Sequence, residues 1–109
     1  MIIDFDKIDV SVLPHFKGGE KEMTAHMFFD GTNKIMRGRL VPGATIGLHT
    51  HEGNCEVIFI TRGHGSALYD GERHPVQCGQ CHYCPQGHSH SLINDSDADL
   101  EFVAVVAKQ

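Results

Sequence analysis

The chain has 109 residues, of which 40% are hydrophobic and 21% are charged. This length and composition are typical of one globular domain and exclude a disordered or fibrous protein. Nine Lys and Arg residues against 14 Asp and Glu residues give a formal net charge of −5. Because the basic residues are scattered along the chain, the sequence excludes a surface for nucleic acid.

The opening segment carries acidic residues, Asp4, Asp6 and Asp9, where a secretory signal would have basic residues and a longer apolar run. No stretch approaches the roughly 20 apolar residues that are needed to span a bilayer. These features predict a cytoplasmic protein without a membrane partner.

Turn signals rich in Gly, Pro, Asn and Asp recur at short intervals from residue 13 to residue 99. The runs between them have strand length, and most contain β-branched or aromatic residues. The one candidate helical segment, 17–25, is short and contains two glycines. This pattern predicts an all-β sandwich or barrel with little helix. The predicted strands are 26–29, 35–41, 45–51, 56–61, 66–69, 73–77, 81–84, 91–93 and 100–107.

Four residues with metal-binding side chains occur at regular spacing in two short blocks. The first block, GATIGLHTHEGNCEVIFITRG, contains His49, His51 and Glu56. The second block, GQCHYCPQGHSHSLIN, contains His90. Alone, each histidine would be interpreted as an ordinary surface residue. The spacing of the four together favours a metal site.

Strand geometry explains how these side chains can meet. His49 and His51 stand two residues apart, so on a strand they face the same space. The turn at 52–55 returns Glu56 beside the pair, and His90 arrives from a distant strand. Three imidazoles and a carboxylate suit Mn, Fe, Ni, Zn, Co or Cu, and leave two positions open on an octahedral ion. We predict one divalent transition metal per chain.

The two blocks resemble the motifs of the cupin superfamily, G-x5-H-x-H-x(3,4)-E-x6-G and G-x5-P-x-G-x2-H-x3-N, at every conserved position of both motifs. The resemblance runs from about residue 34 to the C-terminus. It implies a single-domain cupin over 1–109, with an N-terminal extension at 1–33 that adds strands and a motif-bearing β-barrel at 34–107.

The barrel implied by this resemblance is a double-stranded β-helix, or jelly roll, of two antiparallel sheets, often assembled as a homodimer. The metal would lie inside it, held by His49, His51, Glu56 and His90. One departure from the common cupin pattern is Gln80, where Asp is usual. The remaining motif residues would serve turns and structure, and they are Gly43, Gly63, Gly79, Pro85, Gly87 and Asn94.

Strand alternation also predicts the surroundings of the metal. If Glu56 faces inward, Ile58 and Ile60 do so as well, which would give the pocket apolar walls. Arg37 and Arg39 share a strand face and could clamp a carboxylate, although a surface stripe is the simpler interpretation.

Three residues near the second block are candidates for proton transfer to a metal-bound substrate. They are His82 or Tyr83, only one of which can face inward, and His88 at the rim. The alternative interpretation, ordinary strand residues with a packed ring and a solvated imidazole, stays open.

The cysteines give a competing signal, because Cys78, Cys81 and Cys84 form C-x2-C-x2-C before a proline, superficially like an iron–sulfur motif. The fourth thiolate is missing, since Cys55 lies far away in the chain and should face away from the metal. We expect free thiols that fill small apolar spaces, as is usual in a reducing cytosol.

Two functional hypotheses follow. The first is a metal-dependent enzyme acting on a small oxygen-rich molecule, such as an organic acid, sugar derivative or diketone, which chelates the ion at its open positions. Isomerase, lyase or decarboxylase, and dioxygenase chemistry all remain open. Oxalate decarboxylation is disfavoured, because cupins with that activity usually have two domains. The second hypothesis is a non-catalytic domain that binds or senses a metal and a small ligand.

Overall fold

The computed structural model describes all of residues 1–109 and contains ten β-strands, two short 3-10 helices and no α-helix. The 3-10 helices span Phe5–Lys7 and Phe16–Gly18. No helix has the length and apolar character required to cross a membrane. The strands are β1 (Ser11–Pro14), β2 (Glu22–Phe29), β3 (Lys34–Leu40), β4 (Thr45–Thr50), β5 (Asn54–Arg62), β6 (His64–Tyr69), β7 (Glu72–Gln77), β8 (Cys81–Cys84), β9 (Ser89–Ile93) and β10 (Leu100–Lys108).

The strands form two sheets in which every pairing is antiparallel. One sheet has six strands in the order β1-β2-β3-β10-β5-β8, and the other has four in the order β4-β9-β6-β7. Their inner faces share one core. The predicted all-β fold of two antiparallel sheets is therefore confirmed. The largest fully buried hydrophobic side chains of the core are Met23, Leu40, Ile58, Leu92, Leu100 and Phe102.

The N-terminal segment adds two strands to the larger sheet. β2 begins at Glu22, four residues before the predicted strand at 26–29. β1 lies in the extension that was expected to add strands, although no strand was predicted at its position. β1 is short and ends in Pro14 at the edge of the sheet. Proline is tolerated at an edge because no neighbouring strand there needs the N–H group that proline lacks. It also obscures the strand pattern in the sequence.

β10 lies between β3 and β5 and carries the largest fully buried side chain of the core, Phe102, which is 0% exposed. The register pairs Phe102 with Gly38 on β3. A Cβ atom at Gly38 would collide with the Phe102 ring, so only glycine leaves room for it. This packing favours the observed register of β10 against β3. On its other side β10 pairs with β5, which carries Glu56.

A second close approach joins the Phe16–Gly18 helix to β4. A Cβ atom at Gly47 would collide with the carbonyl oxygen of Lys17, and one at Gly19 would collide with that of Thr45. The contact is reinforced where Thr45 N donates to Glu20 O over 3.0 Å. Because the two backbones nearly touch, the side chains of the helix are placed beside the strand that carries His49.

Asn94 has the structural role implied by its motif position. It is 0% exposed, and its Nδ2 donates to Leu40 O and Ala98 O, both at 2.8 Å. Gly63 ends the first motif with φ +83°, and a Cβ atom there would meet Asp99 O. Asn94 and Gly63 therefore hold the segments that follow β9 and β5, and neither belongs to the metal group.

Candidate metal centre

The predicted ligands converge from three strands. His49 lies on β4, His51 follows directly after that strand, Glu56 lies on β5 and His90 lies on β9. The register of β4 and β9 pairs His49 with His90 across the smaller sheet. The four potential ligand atoms lie within 4.8 Å of one another, and this is the one such group in the chain.

Distances within the group match those of ligands around one ion. His90 Nε2 lies 2.8 Å from His51 Nε2 and 3.1 Å from His49 Nε2. Glu56 Oε1 lies 2.9 Å from His90 Nε2, 3.1 Å from His51 Nε2 and 3.9 Å from His49 Nε2. Two ligands at right angles, each about 2.1 Å from an ion, lie about 3.0 Å apart. The group therefore has the size of a transition-metal coordination shell.

Hydrogen bonds on the far side of two rings determine which nitrogen is free. His49 Nδ1 lies 2.7 Å from the carbonyl oxygen of Gly47, and His51 Nδ1 lies 2.6 Å from Oδ1 of Asn54. Both oxygens are acceptors, so each Nδ1 carries the proton and donates it. Each Nε2 then points an unprotonated lone pair at the common centre, an arrangement that a cation would stabilise.

The charge of the group also suits a cation. Burial raises the pKa of Glu56, but the close contacts of its carboxylate with the rings of His49, His51 and His90 outweigh burial and hold that pKa far below its ordinary range. The hydrogen bond to Glu56 raises the pKa of His51 against the effect of burial, whereas burial lowers the pKa of His90. The centre thus holds an ionised carboxylate beside imidazole nitrogens, which is the donor set predicted for a divalent transition metal.

His90 differs from the other two histidines because its Nδ1 contacts another imidazole rather than an oxygen. Its Nδ1 lies 3.0 Å from Nε2 of His82, on β8. For His90 to offer Nε2 to a metal, its Nδ1–H must donate to His82, which then carries its own proton on Nδ1. His82 therefore orients a ligand and does not itself face the cavity described below.

Replacing His82 with phenylalanine is expected to weaken metal binding by about 10- to 100-fold, because the buried Nδ1–H of His90 loses its acceptor. Competition with a chromophoric chelator for Zn²⁺ or Co²⁺ at neutral pH measures this affinity. Tyr83→Phe, at the next position on the same strand, is the matched control and should bind like the wild type. Unchanged affinity in the His82 variant would contradict the assigned role.

The stability of the metal-free protein should depend on pH through His82. Burial, and then the charge of His90, lowers the pKa of His82 to about 4, whereas the unfolded side chain titrates near 6.5. The unfolded state therefore takes up a proton first, so the stability contributed by neutral His82 is complete above about pH 6.5 and is lost as the pH falls towards 4. Urea unfolding in EDTA should show a smaller loss over this range in His82→Phe than in the wild type, and equal losses would contradict the assignment.

The other candidate proton-transfer residues lie away from the cavity. Tyr83 is 51% exposed on the opposite face of β8, in agreement with the expectation that only one of His82 and Tyr83 faces inward. His88 Nδ1 lies 2.5 Å from Asp70 Oδ2 and 3.1 Å from the hydroxyl of Tyr69, in a partly exposed cluster at the rim. The structure does not bring Tyr83 or His88 to the space beside the metal group.

A cavity of about 240 Å³ opens beside His49, His51 and Glu56. The predicted walls, Ile58 and Ile60, do not line it. Both face inward, as predicted, but they are 1% and 3% exposed in the packed core between the sheets. The cavity is lined instead by Phe16, Lys17, Lys34, Met36, Ile46, Thr50, Glu52, Asn54 and Val106, in addition to the three ligands.

Five polar residues that line this cavity were not predicted from the sequence, namely Lys17, Lys34, Thr50, Glu52 and Asn54. Lys34 lies two residues before Met36 on β3, so strand alternation could have placed it on the inner face. Asn54 lies three residues after His51, within reach of the ring that it orients. No local pattern predicts Lys17, since its position depends on the packing of a short helix against β4.

The cysteines do not form a cluster. All four are free, with Cys55 and Cys84 buried and Cys78 and Cys81 exposed. They contribute to no group of metal-binding side chains. The expectation of free thiols is consistent with this arrangement, but the expectation that they fill apolar spaces is wrong for Cys78 and Cys81, which are exposed. The iron–sulfur alternative has no support in the structure.

The arginine pair lies on the outer face of the larger sheet. Arg37 Nη2 lies 2.7 Å from Asp6 Oδ1, and Arg39 Nη1 lies 3.6 Å from Asp99 Oδ2. Neither residue lines the metal-side cavity. The surface interpretation is therefore the correct one, and the carboxylates that the arginines meet belong to their own chain.

Comparison with known proteins agrees with this geometry. The family model described as Cupin domain matches residues 36–106. A Thermotoga maritima protein named oxalate-binding protein is 31% identical over 112 residues, covering 97% of this chain and 93% of its own length.

Two solved structures share the architecture. A crystal structure described as a predicted oxalate decarboxylase from Thermotoga maritima matches with a TM-score of 0.93 and 29% identity, covering all of both chains. A sugar phosphate isomerase from Silicibacter pomeroyi, described as a member of a cupin superfamily, matches at a TM-score of 0.81 and 23% identity, covering all of this chain and 76% of its own, and shows the fold alone. The family model, the relative and the arrangement of both motifs together show that this chain belongs to the cupin family.

Proposed function

We propose that this protein binds one divalent transition metal through His49, His51, Glu56 and His90 and, on that metal, a small organic acid such as oxalate. The observation that carries the proposal is the convergence of three imidazole Nε2 atoms and one ionised carboxylate beside an open cavity. The resemblance to the protein named oxalate-binding protein supports the choice of ligand class.

The cavity favours a small anion. Lys17 and Lys34 contribute two cationic side chains to its lining, against one carboxylate, Glu52, outside the metal group. Its volume of about 240 Å³ lies below the usual range for drug-sized ligands. A dicarboxylate that chelates through two oxygens would meet both the open coordination positions and the lysine charge.

A divalent ion at this centre would supply Lewis acidity to a chelating carboxylate or carbonyl. The chain's own residues have separate roles. Lys17 and Lys34 neutralise the charge of the acid, and Met36 and Ile46 contribute apolar side chains to the lining, which disfavour water. With less water in the cavity, the attraction between these cations and an anionic ligand is stronger than in bulk solvent.

Turnover of the bound acid is a second candidate function, favoured by the position of Glu52. This side chain lines the cavity but lies outside the four-residue metal group, so its carboxylate is available to accept or donate a proton. In this version Glu52, rather than His82, Tyr83 or His88, would be the acid or base. Product formation from oxalate that is lost in Glu52→Gln, with metal content unchanged, would support the enzyme.

Calorimetric titration of oxalate into protein loaded with Mn²⁺ tests the binding function. We expect one oxalate per chain, no binding to EDTA-treated protein, and an affinity about fivefold lower in Lys34→Met, since one partly exposed cation is worth up to about 1 kcal/mol. Lys7→Met, which removes a lysine from the distant Phe5–Lys7 helix, is the matched control. Equal binding by metal-free protein, or no binding by loaded protein, would contradict the proposal.

We also propose a homodimer in the cytoplasm. Free thiols, two of them exposed, favour a reducing compartment. The outer face of the larger sheet carries neighbouring apolar side chains on adjacent strands, which is typical of an interface. Light scattering should give twice the mass of the chain for the wild type and the monomer mass for Phe59→Glu, and a monomeric wild type would contradict the dimer. The apolar side chains of this face are Phe28, Ile35, Val57, Phe59, Tyr83, Val103 and Val105.

A further inference from the structure

The pairing of neighbouring strands gives the distance from the metal group to the end of β2. Glu56 on β5 pairs with Val106 on β10, which pairs with Lys34 on β3, which pairs with Phe29 at the end of β2. Neighbouring strands are about 4.8 Å apart, so this row extends about 14 Å from the metal ligand to Phe29. Val106 and Lys34, in its middle, both line the cavity.

The cavity does not end at these residues. A more open groove of about 710 Å³ shares Lys34, Glu52, Asn54 and Val106 with it. Because four residues belong to both, the mouth of the cavity is also the floor of the groove. The groove continues past them to Met27, Phe29, Gly31, Thr32, Gly53 and Lys108.

Hydrogen bonds tie the walls of the groove together. In the β2–β3 turn, Asp30 Oδ1 accepts from the backbone N–H of Asn33 over 2.7 Å. Asn33 Oδ1 in turn accepts from Lys108 N over 3.1 Å, and Gln109 N donates to Gly53 O over 2.9 Å. The turn, the end of β10 and the loop after His51 are therefore held in register, so a ligand would not have to order the groove.

The side chains of the groove combine an apolar surface with positive charge. Phe29 is 63% exposed, and with Val106 it provides a hydrocarbon surface outside the core cluster, beside Met27, which packs partly against that cluster. Lys34 and Lys108 contribute two cations against the one carboxylate of Glu52. Oxalate has only two carbons, so bound at the metal it would reach neither Phe29 nor Lys108.

We propose that the groove binds the tail of a longer acid, one with a chelating 2-oxo acid head, a hydrocarbon middle and a terminal carboxylate. This inference rests on the proposed function, because the head is bound at the metal. The hydrocarbon middle lies against Val106 and Phe29, and the terminal carboxylate meets Lys108. The cavity recognises the head, and the groove selects the length and charge of the ligand.

Three acids with the same head test this proposal on Mn²⁺-loaded protein by calorimetry. They are pyruvate, 2-oxohexanoate, which adds a hydrocarbon tail, and 2-oxoadipate, which has the same number of carbons and a terminal carboxylate. We expect 2-oxoadipate to bind at least tenfold more tightly than pyruvate, with 2-oxohexanoate between them. Each half-buried methylene should raise the affinity about twofold, and an exposed ion pair should raise it up to about fivefold.

Two variants separate the contributions of the groove. Lys108→Gln should remove the advantage of 2-oxoadipate over 2-oxohexanoate, and Phe29→Ser should reduce the advantage of both over pyruvate. Lys7→Gln is the control for loss of a distant cation and should leave the ranking unchanged. Both substituted groove residues are exposed, so these variants should fold.

Equal affinities for the three acids, or a wild-type ranking in both groove variants, would overturn the inference. Oxalate titrated into the same preparation keeps this failure distinct from that of the proposed function. If oxalate binds only in the presence of metal while tail length has no effect, the groove assignment alone is wrong. If no acid binds the loaded protein, both proposals are wrong.

Discussion

His90→Ala is expected to lower the affinity for divalent transition metals by roughly 100- to 1,000-fold. The binding free energy of a structural zinc site with four ligands is about 10–16 kcal/mol, which is about 2.5–4 kcal/mol for each ligand. His90 should lie at or above this average, because its Nε2 is within 3.1 Å of all three other ligand atoms. Elemental analysis after dialysis, followed by titration with Zn²⁺ against a competing chelator, measures the loss.

His90 is 1% exposed, so its substitution also affects packing, and a second variant keeps the prediction testable. The His49 side chain is 16% exposed, and His49→Ala should give a comparable loss of affinity with less effect on folding. His26→Ala is the control, since that ring meets Ile8 O and belongs to no metal group. Wild-type affinity in folded His90→Ala and His49→Ala proteins would contradict the site.

Gly47→Ala is expected to lower the free energy of unfolding by about 3 kcal/mol or more. The added methyl group would collide with the carbonyl oxygen of Lys17, and that contact lies between two backbone segments rather than flexible side chains. Gly47 O also accepts the hydrogen bond that orients His49, so the same change should weaken metal and oxalate binding. Urea unfolding monitored by circular dichroism gives the first effect, and calorimetry gives the second.

Gly71→Ala is the matched control for the loss of a glycine. Gly71 has φ +82° and open space around it, so alanine there carries a conformational cost of about 1 kcal/mol without a collision. It should leave ligand binding unchanged. If Gly47→Ala were no more destabilising than Gly71→Ala, the close packing of the Phe16–Gly18 helix on β4 would not have the importance assigned to it.

Much of the fold and of the metal group could be predicted from the sequence, because both depend on local rules. Alternation along a strand places His49 and His51 on one side, and the same rule separates His82 from Tyr83. Strand positions follow from the turn residues between them. The cupin motifs then supplied the one long-range fact, the meeting of His90 with the first block.

The remaining features depend on cross-strand neighbours and on packing, which no local pattern contains. Ile58 and Ile60 face inward as predicted, but the opposite sheet covers them and places the cavity elsewhere. Lys17 reaches the cavity only because two glycines let a short helix approach β4. The pairing of His82 with His90 depends on how β8 and β9, in different sheets, are brought together.

Anomalous diffraction from crystals grown with Mn²⁺ and oxalate would show whether the four side chains of the candidate metal centre hold one metal ion and whether oxalate binds to it. We expect one strong peak per chain, about 2.0–2.3 Å from the Nε2 atoms of His49, His51 and His90 and from Oε1 of Glu56. Two oxalate oxygens should complete the coordination from the side of Lys17 and Lys34. A peak at any other group of side chains, or oxalate bound away from the metal, would contradict this expectation.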